Sequence, residues 1–157
     1  YGNNPKGDRP LIMCEYTHAM GNSNGSLADY WDAITSTPGL QGGFIWEWQD
    51  HGITTTLPNG KRGFAYGGQF DEPIHDGNFV ADGIMSADLV PHPAIREVEW
   101  VYRPVTVSTA GRSKVAISNR RSVTDLSDLD ATWDLTVAGE VRDEGRLEVE
   151  VGPHETV

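Results

Sequence analysis

The stretch Arg9-Pro-Leu-Ile-Met-Cys-Glu-Tyr-Thr-His-Ala-Met-Gly-Asn-Ser23 decides how the first part of this chain folds. Its apolar run, Leu11 to Met13, follows Pro10 and predicts a buried strand. Polar residues follow at once from Glu15, and Gly21-Asn22-Ser23 predicts a turn into a helix N-terminus. Barrel enzymes carry their catalytic residues, carboxylates among them, at the C-terminal ends of strands like this one. An acid at a strand end can also be merely solvated, so the pattern alone leaves both interpretations open.

The next residues predict a helix and a second strand. Leu27, Tyr30, Trp31 and Ile34 have the spacing i, i+3, i+4, i+7, which indicates one apolar helix face. Pro38-Gly39 ends the helix. Residues 40–50 then form an apolar run with a polar end. Strand, helix and strand in so short a span predict parallel neighbours joined by a right-handed crossover.

The segment 51–92 is rich in loops. Pro58-Asn59-Gly60 predicts a turn between Ile53–Thr56 and Phe64–Tyr66, and therefore a small hairpin. Long loops inside a compact domain often carry function. Pro91-His92-Pro93 predicts the start of a short helix.

Beyond Arg103-Pro104 the pattern changes to alternating apolar and polar residues, which is typical of antiparallel strands. We interpret this part as the beginning of a β-sandwich, so that residues 1–103 and 104–157 belong to different domains. The charged run Arg142–Arg146 is interpreted as a solvated turn. The predicted strands are Val105–Ser108, Lys114–Ser118, Trp133–Val137 and Arg146–Val151.

Composition excludes several partners. The chain has 12 Lys and Arg against 23 Asp and Glu, a net charge of −11, which argues against nucleic acid and anionic membrane as partners. Five Trp and five Tyr suit a neutral sugar, whose C–H faces stack on aromatic rings. Cys14 is the single cysteine, so no disulfide framework exists, and we expect a cytoplasmic location. No apolar run is long enough for a membrane span.

Several motifs in order resemble the large β-galactosidases of glycoside hydrolase family 2. The resemblance covers most of residues 9–100, and the tail resembles the sandwich that follows the barrel in that family. It implies the C-terminal part of a (β/α)₈ TIM barrel followed by an antiparallel, immunoglobulin-like β-sandwich segment, an α/β plus all-β chain. The motifs are Cys14-Glu-Tyr-Thr-His-Ala-Met-Gly-Asn-Ser, Gln41-Gly-Gly-Phe-Ile-Trp-Glu-Trp-Gln-Asp-His, Tyr66-Gly-Gly-Gln-Phe, Asn78-Phe-Val-Ala-Asp-Gly-Ile and Pro91-His-Pro.

The resemblance implies that Glu15 is the nucleophile of a retaining β-galactosidase acting on terminal β-galactosides such as lactose. Such an enzyme forms a covalent glycosyl ester on a carboxylate that must be ionised. His18 matches a histidine that contacts substrate hydroxyls, although it could instead tie down the loop after the strand. Trp46 matches a tryptophan that forms an apolar wall against the sugar. Either Trp46 or Trp48 could instead be a core residue.

The resemblance also implies a monovalent cation, sodium or potassium, held at Phe79 through its carbonyl and at Asp82, which would also lie near the substrate. Oxygen ligands suit hard cations. The best-known branch has Asn where this chain has Asp82, so the carboxylate could bind the cation more tightly or signal another role. Glu47, Asp50 and His51 follow the second strand and could line the floor of the site, although we expect them to make structural hydrogen bonds.

One catalytic group is missing from this sequence. A retaining glycosidase needs a second carboxylate, the acid/base, about 5–5.5 Å from the nucleophile. In the family it lies in an Asn-Glu pair together with magnesium ligands, and no Asn-Glu pair occurs here. We therefore expect the acid/base and magnesium in the remainder of a longer, homo-oligomeric parent polypeptide, and an inactive isolated chain.

Two alternatives stay open. The first is another family 2 activity such as β-glucuronidase. The second is a non-catalytic carbohydrate-binding or structural fragment, whose working part is the sandwich.

Overall fold

The computed structural model describes residues 9–157, which fall into two compact units that divide between Val101 and Tyr102. The assignment of residues 1–103 and 104–157 to a barrel and a sandwich stays a prediction. The first unit contains, in chain order, β1 (Leu11–Tyr16), α1 (Leu27–Ser36), β2 (Leu40–Ile45), β3 (Ile53–Thr56), β4 (Arg62–Ala65) and α2 (Ile95–Tyr102), whose last residue lies at the division. The second contains β5 (Val105–Gly111), β6 (Lys114–Asn119), β7 (Ala131–Val137) and β8 (Glu140–Leu147).

The predicted parallel pair is confirmed, since β1 and β2 run side by side with Leu11 opposite Leu40 and Tyr16 opposite Ile45. Helix α1 connects them, as the apolar spacing predicted, with Leu27 and Ile34 buried. Both strands differ in extent from the prediction: β1 continues through Glu15 to Tyr16, and β2 ends at Ile45, before the tryptophans. The core of this unit consists of Tyr16, Ala19, Leu27, Ile34, Ile84, Val98 and Val101.

A segment without regular strand assignment, Asp82 to Met85, runs beside the residues that follow β2. The Glu47 N–H donates to the Asp82 carbonyl (2.9 Å), and the Ile84 N–H donates to the Glu47 carbonyl (2.8 Å). The Met85 N–H then donates to Trp48 (3.0 Å), and the Asp50 N–H donates to Met85 (2.9 Å). This short parallel ladder fixes the Asp82 backbone next to Glu47. It therefore sets the positions of the candidate site residues that lie on the two segments.

The loop-rich middle contains the predicted hairpin. Strands β3 and β4 pair antiparallel, with Ile53 opposite Ala65 and Thr56 opposite Arg62. A backbone hydrogen bond from the His51 N–H to the Val80 carbonyl (2.8 Å) closes the base of the excursion that carries this hairpin.

The second unit is built from two antiparallel hairpins, β5–β6 and β7–β8, which form separate two-stranded sheets. Its small core comprises Ile117, Leu126 and Val151. Buried Asn119 joins distant backbone there, because its Nδ2 lies within hydrogen-bond distance of the carbonyls of Thr124, Val151 and Gly152.

Two sequence predictions in this unit are wrong. Arg142–Arg146 is not a turn, and the last strand is not Arg146–Val151, because β8 covers Glu140–Leu147. The turn at Ala138-Gly139, where both residues have positive φ (52° and 85°), sets the register. It places Glu140 opposite Val137 and Leu147 opposite Ala131.

Within residues 9–157 the strands form four two-stranded sheets and no closed barrel. The β-sandwich arrangement of residues 104–157 likewise stays a prediction. Among the same residues, no helix is long and apolar enough to cross a membrane.

Candidate functional site

The candidate site lies where the parallel strands β1 and β2 end. Glu15 is the fifth residue of β1, and its side chain is exposed. The next residue, Tyr16, is buried, and its hydroxyl accepts a hydrogen bond from Trp31 Nε1 on α1 (3.0 Å). Its ring also meets Tyr30 edge to face at 5.4 Å. Tyr16 therefore fixes the end of β1 and, with it, the backbone that carries Glu15.

The loop that carries His18 is held by residues beyond it. The Ser23 hydroxyl lies 2.6 Å from the His18 carbonyl and 2.7 Å from the Met20 carbonyl, and can donate to either. Asn24 Nδ2 donates to the Thr17 carbonyl. The Ala19 N–H donates to the Trp46 carbonyl (2.8 Å), which links this loop to the residue that follows β2. Backbone contacts thus hold the loop, and the His18 imidazole is directed to other partners.

The structure brings together four of the five predicted site residues around one buried carboxylate. Asp82, only 2% exposed, accepts a hydrogen bond at Oδ2 from Trp46 Nε1 (3.2 Å). His18 Nε2 lies 3.6 Å from the same oxygen, an attractive contact when the imidazole is protonated. The Phe79 ring lies 5.5 Å from the His18 ring, between ring centroids. These contacts do not include Glu15, which stays on the exposed side of β1.

Two polar atoms of this cluster are buried without hydrogen-bond partners among the described residues, Asp82 Oδ1 and His18 Nε2. A buried carboxylate oxygen without a partner is costly, so such an atom commonly marks the place of a water, an ion or a ligand.

Trp46 and Trp48 are both exposed, at 41% and 60%, so neither is a core residue in this chain.

A second acidic group, Glu47, adjoins Asp82. Burial raises the pKa of the Glu47 carboxyl, and the neighbouring Asp82 carboxyl raises it further. His51 opposes this change, because His51 Nε2 lies 3.0 Å from Glu47 Oε2. Burial and a neighbouring carboxyl group both disfavour the charged form, so Glu47 holds its proton to higher pH than a free glutamate does.

Sequence reasoning missed the hydrogen bonds that Asp50 and His92 make with the backbone of Gly83. The Gly83 N–H donates to Asp50 Oδ1 (2.8 Å), and the Gly83 carbonyl lies 3.0 Å from His92 Nδ1. His92 Nε2 in turn lies 3.6 Å from Asp50 Oδ2. The expectation that Asp50 makes structural hydrogen bonds is consistent with this geometry. The signal in the sequence was that Asp50, Gly83 and His92 all lie in the motifs that carry the family resemblance.

Across the described part of the chain, no group of three or more His, Cys, Asp or Glu side chains could hold a metal ion. Near the site, Asp82 Oδ1 is a buried oxygen without a hydrogen-bond partner among the described residues.

Comparison with known proteins identifies the relatives of this chain. Residues 2–107 match the family described as glycosyl hydrolases family 2, TIM barrel domain. A protein named beta-galactosidase from Arthrobacter sp. (strain B7) is 43% identical over 143 residues, which are 88% of this chain and 14% of the relative. Another of that name, from Priestia megaterium, is 40% identical over 155 residues, or 98% of this chain and 15% of the relative.

A third protein of that name, from Actinobacillus pleuropneumoniae, is 42% identical over 150 residues, 95% of this chain and 14% of the relative. The chain thus spans about a seventh of the length of these relatives. The family match covers residues 2–107, the part of the sequence in which β1, β2 and the Asp82 cluster lie. This chain belongs to glycosyl hydrolase family 2.

Proposed function

We propose that this chain is the segment of a retaining β-galactosidase that carries the nucleophile, Glu15. The observation that carries the proposal is the cluster of His18, Trp46 and Phe79 around buried Asp82, beside the ends of two parallel strands. Its support comes equally from the relatives, which are named beta-galactosidase at up to 43% identity. Parallel strand ends are where barrel enzymes assemble their sites.

In this proposal Glu15 attacks the anomeric carbon, and the aglycone leaves with a proton supplied by an acid elsewhere in the parent. Water then cleaves the glycosyl ester, so the anomeric configuration is retained. Exposure of Glu15 on β1 suits this role, since the nucleophile must be ionised and reachable by substrate. Trp46 supplies an apolar wall, and His18 supplies a hydrogen-bonding group for sugar hydroxyls.

We further propose that a sodium or potassium ion binds at the Phe79 carbonyl and the Asp82 carboxylate. The residues fit such an ion, because Asp82 Oδ1 is buried without a partner and a carboxylate is a suitable oxygen ligand. A bound cation supplies positive charge that orients substrate oxygens. The acid/base, magnesium and its ligands are expected in the remainder of the parent, as are the surfaces of a homo-oligomer.

Two further parts of the proposal concern the fold of residues 104–157 and the location of the protein in the cell. We place residues 104–157 at the start of an immunoglobulin-like β-sandwich, supported by the alternating pattern and the two antiparallel hairpins. We expect a cytoplasmic protein, on the ground that the single cysteine, Cys14, is a free thiol.

The test is mechanism-based labelling of the full-length parent. A 2-fluoro-galactoside should label a peptide that contains Glu15, and Glu15→Gln should lower kcat/KM for an aryl β-galactoside by several orders of magnitude. Glu140→Gln is the matched control, because Glu140 is an exposed carboxylate outside the cluster. Labelling of Glu47 instead, or unchanged turnover of Glu15→Gln, would refute the assignment. Preference for an aryl glucuronide would favour the alternative activity.

A separate titration tests the cation. Activity of the parent should rise with sodium or potassium concentration, and Asp82→Ala should weaken that dependence because it removes the buried ligand oxygen. Identical kinetics with and without both ions in the parent would refute the cation site and leave the nucleophile assignment standing.

A further inference from the structure

We propose that Asp50 and His92 are positioning residues, which hold the backbone at Gly83 and thereby fix the Asp82 carboxylate in the site. This inference rests on the proposed function, since Asp82 matters only if the site binds a sugar or a cation. Both residues are separated in sequence from the glycine that they contact: Asp50 precedes Gly83 by 33 residues, and His92 follows it by 9.

The hydrogen bonds define a clamp on the two peptide groups that flank Gly83. In the peptide between Asp82 and Gly83, the carbonyl accepts from the Glu47 N–H (2.9 Å) and the N–H donates to Asp50 Oδ1 (2.8 Å). The Gly83 carbonyl lies 3.0 Å from His92 Nδ1. Because a carbonyl can only accept, His92 must carry a proton on Nδ1 to make this bond.

Packing around Gly83 leaves no room for a side chain. A Cβ at this position would lie 2.3 Å from the Asp50 nitrogen and 2.4 Å from the Gln49 carbonyl carbon. Both are backbone atoms, so the clash could be relieved only by moving the ladder between Glu47–Asp50 and Asp82–Met85. The segment that carries Asp82 is therefore pressed against the segment that carries Trp46, with Asp50 as the polar contact between them.

The consequence for Asp82 follows from its burial. Its carboxylate is held at one oxygen by Trp46 and lacks a partner at the other, so its direction depends on where its backbone is fixed. A positioned group loses effectiveness when its support is removed, and removal of such supporting hydrogen bonds typically costs about 10–100-fold in metal affinity or activity. The clamp residues touch neither substrate nor cation in this scheme and act only through Gly83.

Paired variants of Asp50 in the full-length parent separate positioning from general stability. Asp50→Leu removes the acceptor for the Gly83 N–H, whereas Asp50→Asn keeps an oxygen there. Asp88→Asn is the matched control, because Asp88 bonds Ser86 in the neighbouring turn and does not contact Gly83. For each variant we would measure KM and kcat for an aryl β-galactoside, calorimetric affinity for a galactose-like inhibitor, sodium binding by ²³Na NMR, and Tm.

We expect Asp50→Leu to weaken sodium binding and inhibitor affinity by about 10–100-fold, with Asp50→Asn and Asp88→Asn within a few-fold of the parent. A second pair should repeat the pattern at the other peptide group. His92→Leu should be impaired, and His92→Asn, which places an N–H near the position of Nδ1, should be largely restored.

Asp50→Leu and His92→Leu with lowered Tm but parental sodium and inhibitor affinities would overturn the proposal, because the two residues would then be merely structural. Equal impairment of Asp50→Asn and Asp50→Leu would overturn the acceptor role. If the parent binds inhibitor but no sodium, the cation proposal fails alone, and inhibitor affinity still decides for or against the clamp. If the parent binds neither, the proposed function fails and the clamp with it.

Discussion

The surroundings of Glu47 raise the pKa of its carboxyl group and so favour its protonated form. Its pKa is raised above the ordinary 4.5, first by burial and then by Asp82, although His51 stands 3.0 Å away. A raised carboxyl pKa means that the folded state binds a proton more tightly than the unfolded state does. The contribution of protonated Glu47 to stability is therefore complete below pH 4.5 and is lost as pH rises through the folded-state pKa.

The prediction for Glu47→Gln in the full-length parent follows from this sign. The variant cannot ionise, so its Tm relative to the parent should increase as pH rises from about 4 through the raised pKa, and then level off. Tm measured by calorimetry between pH 4 and 8 checks it. Glu99→Gln, a carboxylate exposed on α2 and paired with Arg96, should show no such trend. A Tm difference independent of pH would contradict the raised pKa.

At the level of single residues, the motif resemblance singled out side chains that lie close together, but not what holds them. His18, Trp46 and Phe79, to which the resemblance gave separate roles, lie in one cluster with Asp82. The contacts of Asp50 and His92 with Gly83 depend on the register between Asp82–Met85 and the residues after β2. That register arises from backbone pairing across a loop of about thirty residues, which no local pattern encodes.

Among the elements, helix α1 begins in an unusual way. Ser26 occupies the N-cap position in a left-handed conformation (φ 60°), and its side chain makes no capping hydrogen bond. The Leu27 N–H instead donates to Oε1 of Glu97 (3.1 Å), which lies on α2. A carboxylate at a helix N-terminus both accepts from a free N–H and interacts favourably with the helix dipole. Helix α2 thus supplies the cap of α1.

We predict that Glu97→Ala destabilises the parent, by about 1 kcal/mol in local unfolding free energy, the typical cost of losing an N-cap. Hydrogen exchange of peptides that cover α1 measures this cost directly. Glu99→Ala is the matched control, since Glu99 lies on the same helix and pairs with Arg96 at the surface. Equal exchange in the two variants would mean that Glu97 contributes nothing as a cap.

The extents of the elements were predictable where the turn chemistry was local and unambiguous. Pro58-Asn59-Gly60 predicted the β3–β4 hairpin, and the i, i+3, i+4, i+7 spacing predicted α1. The prediction of the last strand was wrong because the sequence offers two competing registers. An alternating pattern favoured Arg146–Val151, whereas the Ala138-Gly139 turn pairs Glu140–Leu147 with β7, and a two-residue turn of this kind outweighs alternation.

For the molecule as a whole, apolar side chains are exposed on the β1–β2 sheet. Ile12 is 54% exposed and Phe44 is 67% exposed. Ile12 is paired with Gly42, and Phe44 lies two residues further along β2, so the two side chains share one face. A two-stranded parallel sheet also presents unpaired edges on both sides, and parallel sheets are normally covered on both faces.

We therefore predict that the isolated 157-residue chain self-associates and does not hydrolyse galactosides. Light scattering after size-exclusion chromatography should show concentration-dependent mass, and Phe44→Lys should reduce it. Val137→Lys, at an exposed apolar residue of β7, is the control. Loss of general acid catalysis alone typically costs about 10²–10⁴-fold in rate. Hydrolysis by purified chain that disappears in Glu15→Gln would reveal an acid within these residues.

The division of the chain illustrates what a sequence can and cannot supply at this scale. The change of pattern near Arg103-Pro104 falls close to the point where the two compact units divide, between Val101 and Tyr102. The strands of the described residues form four two-stranded sheets, so no pattern within them determines how a barrel would close.

The hydrogen bond between the His51 N–H and the Val80 carbonyl has a consequence for engineering. This bond joins the two ends of the excursion, at His51 and Val80, and holds them next to each other. Lengthening a flexible loop costs only about 0.6 kcal/mol for each doubling of its length. The β3–β4 hairpin within this excursion can therefore serve as a graft site, where loops of other lengths are exchanged while the Asp82 ladder stays in register.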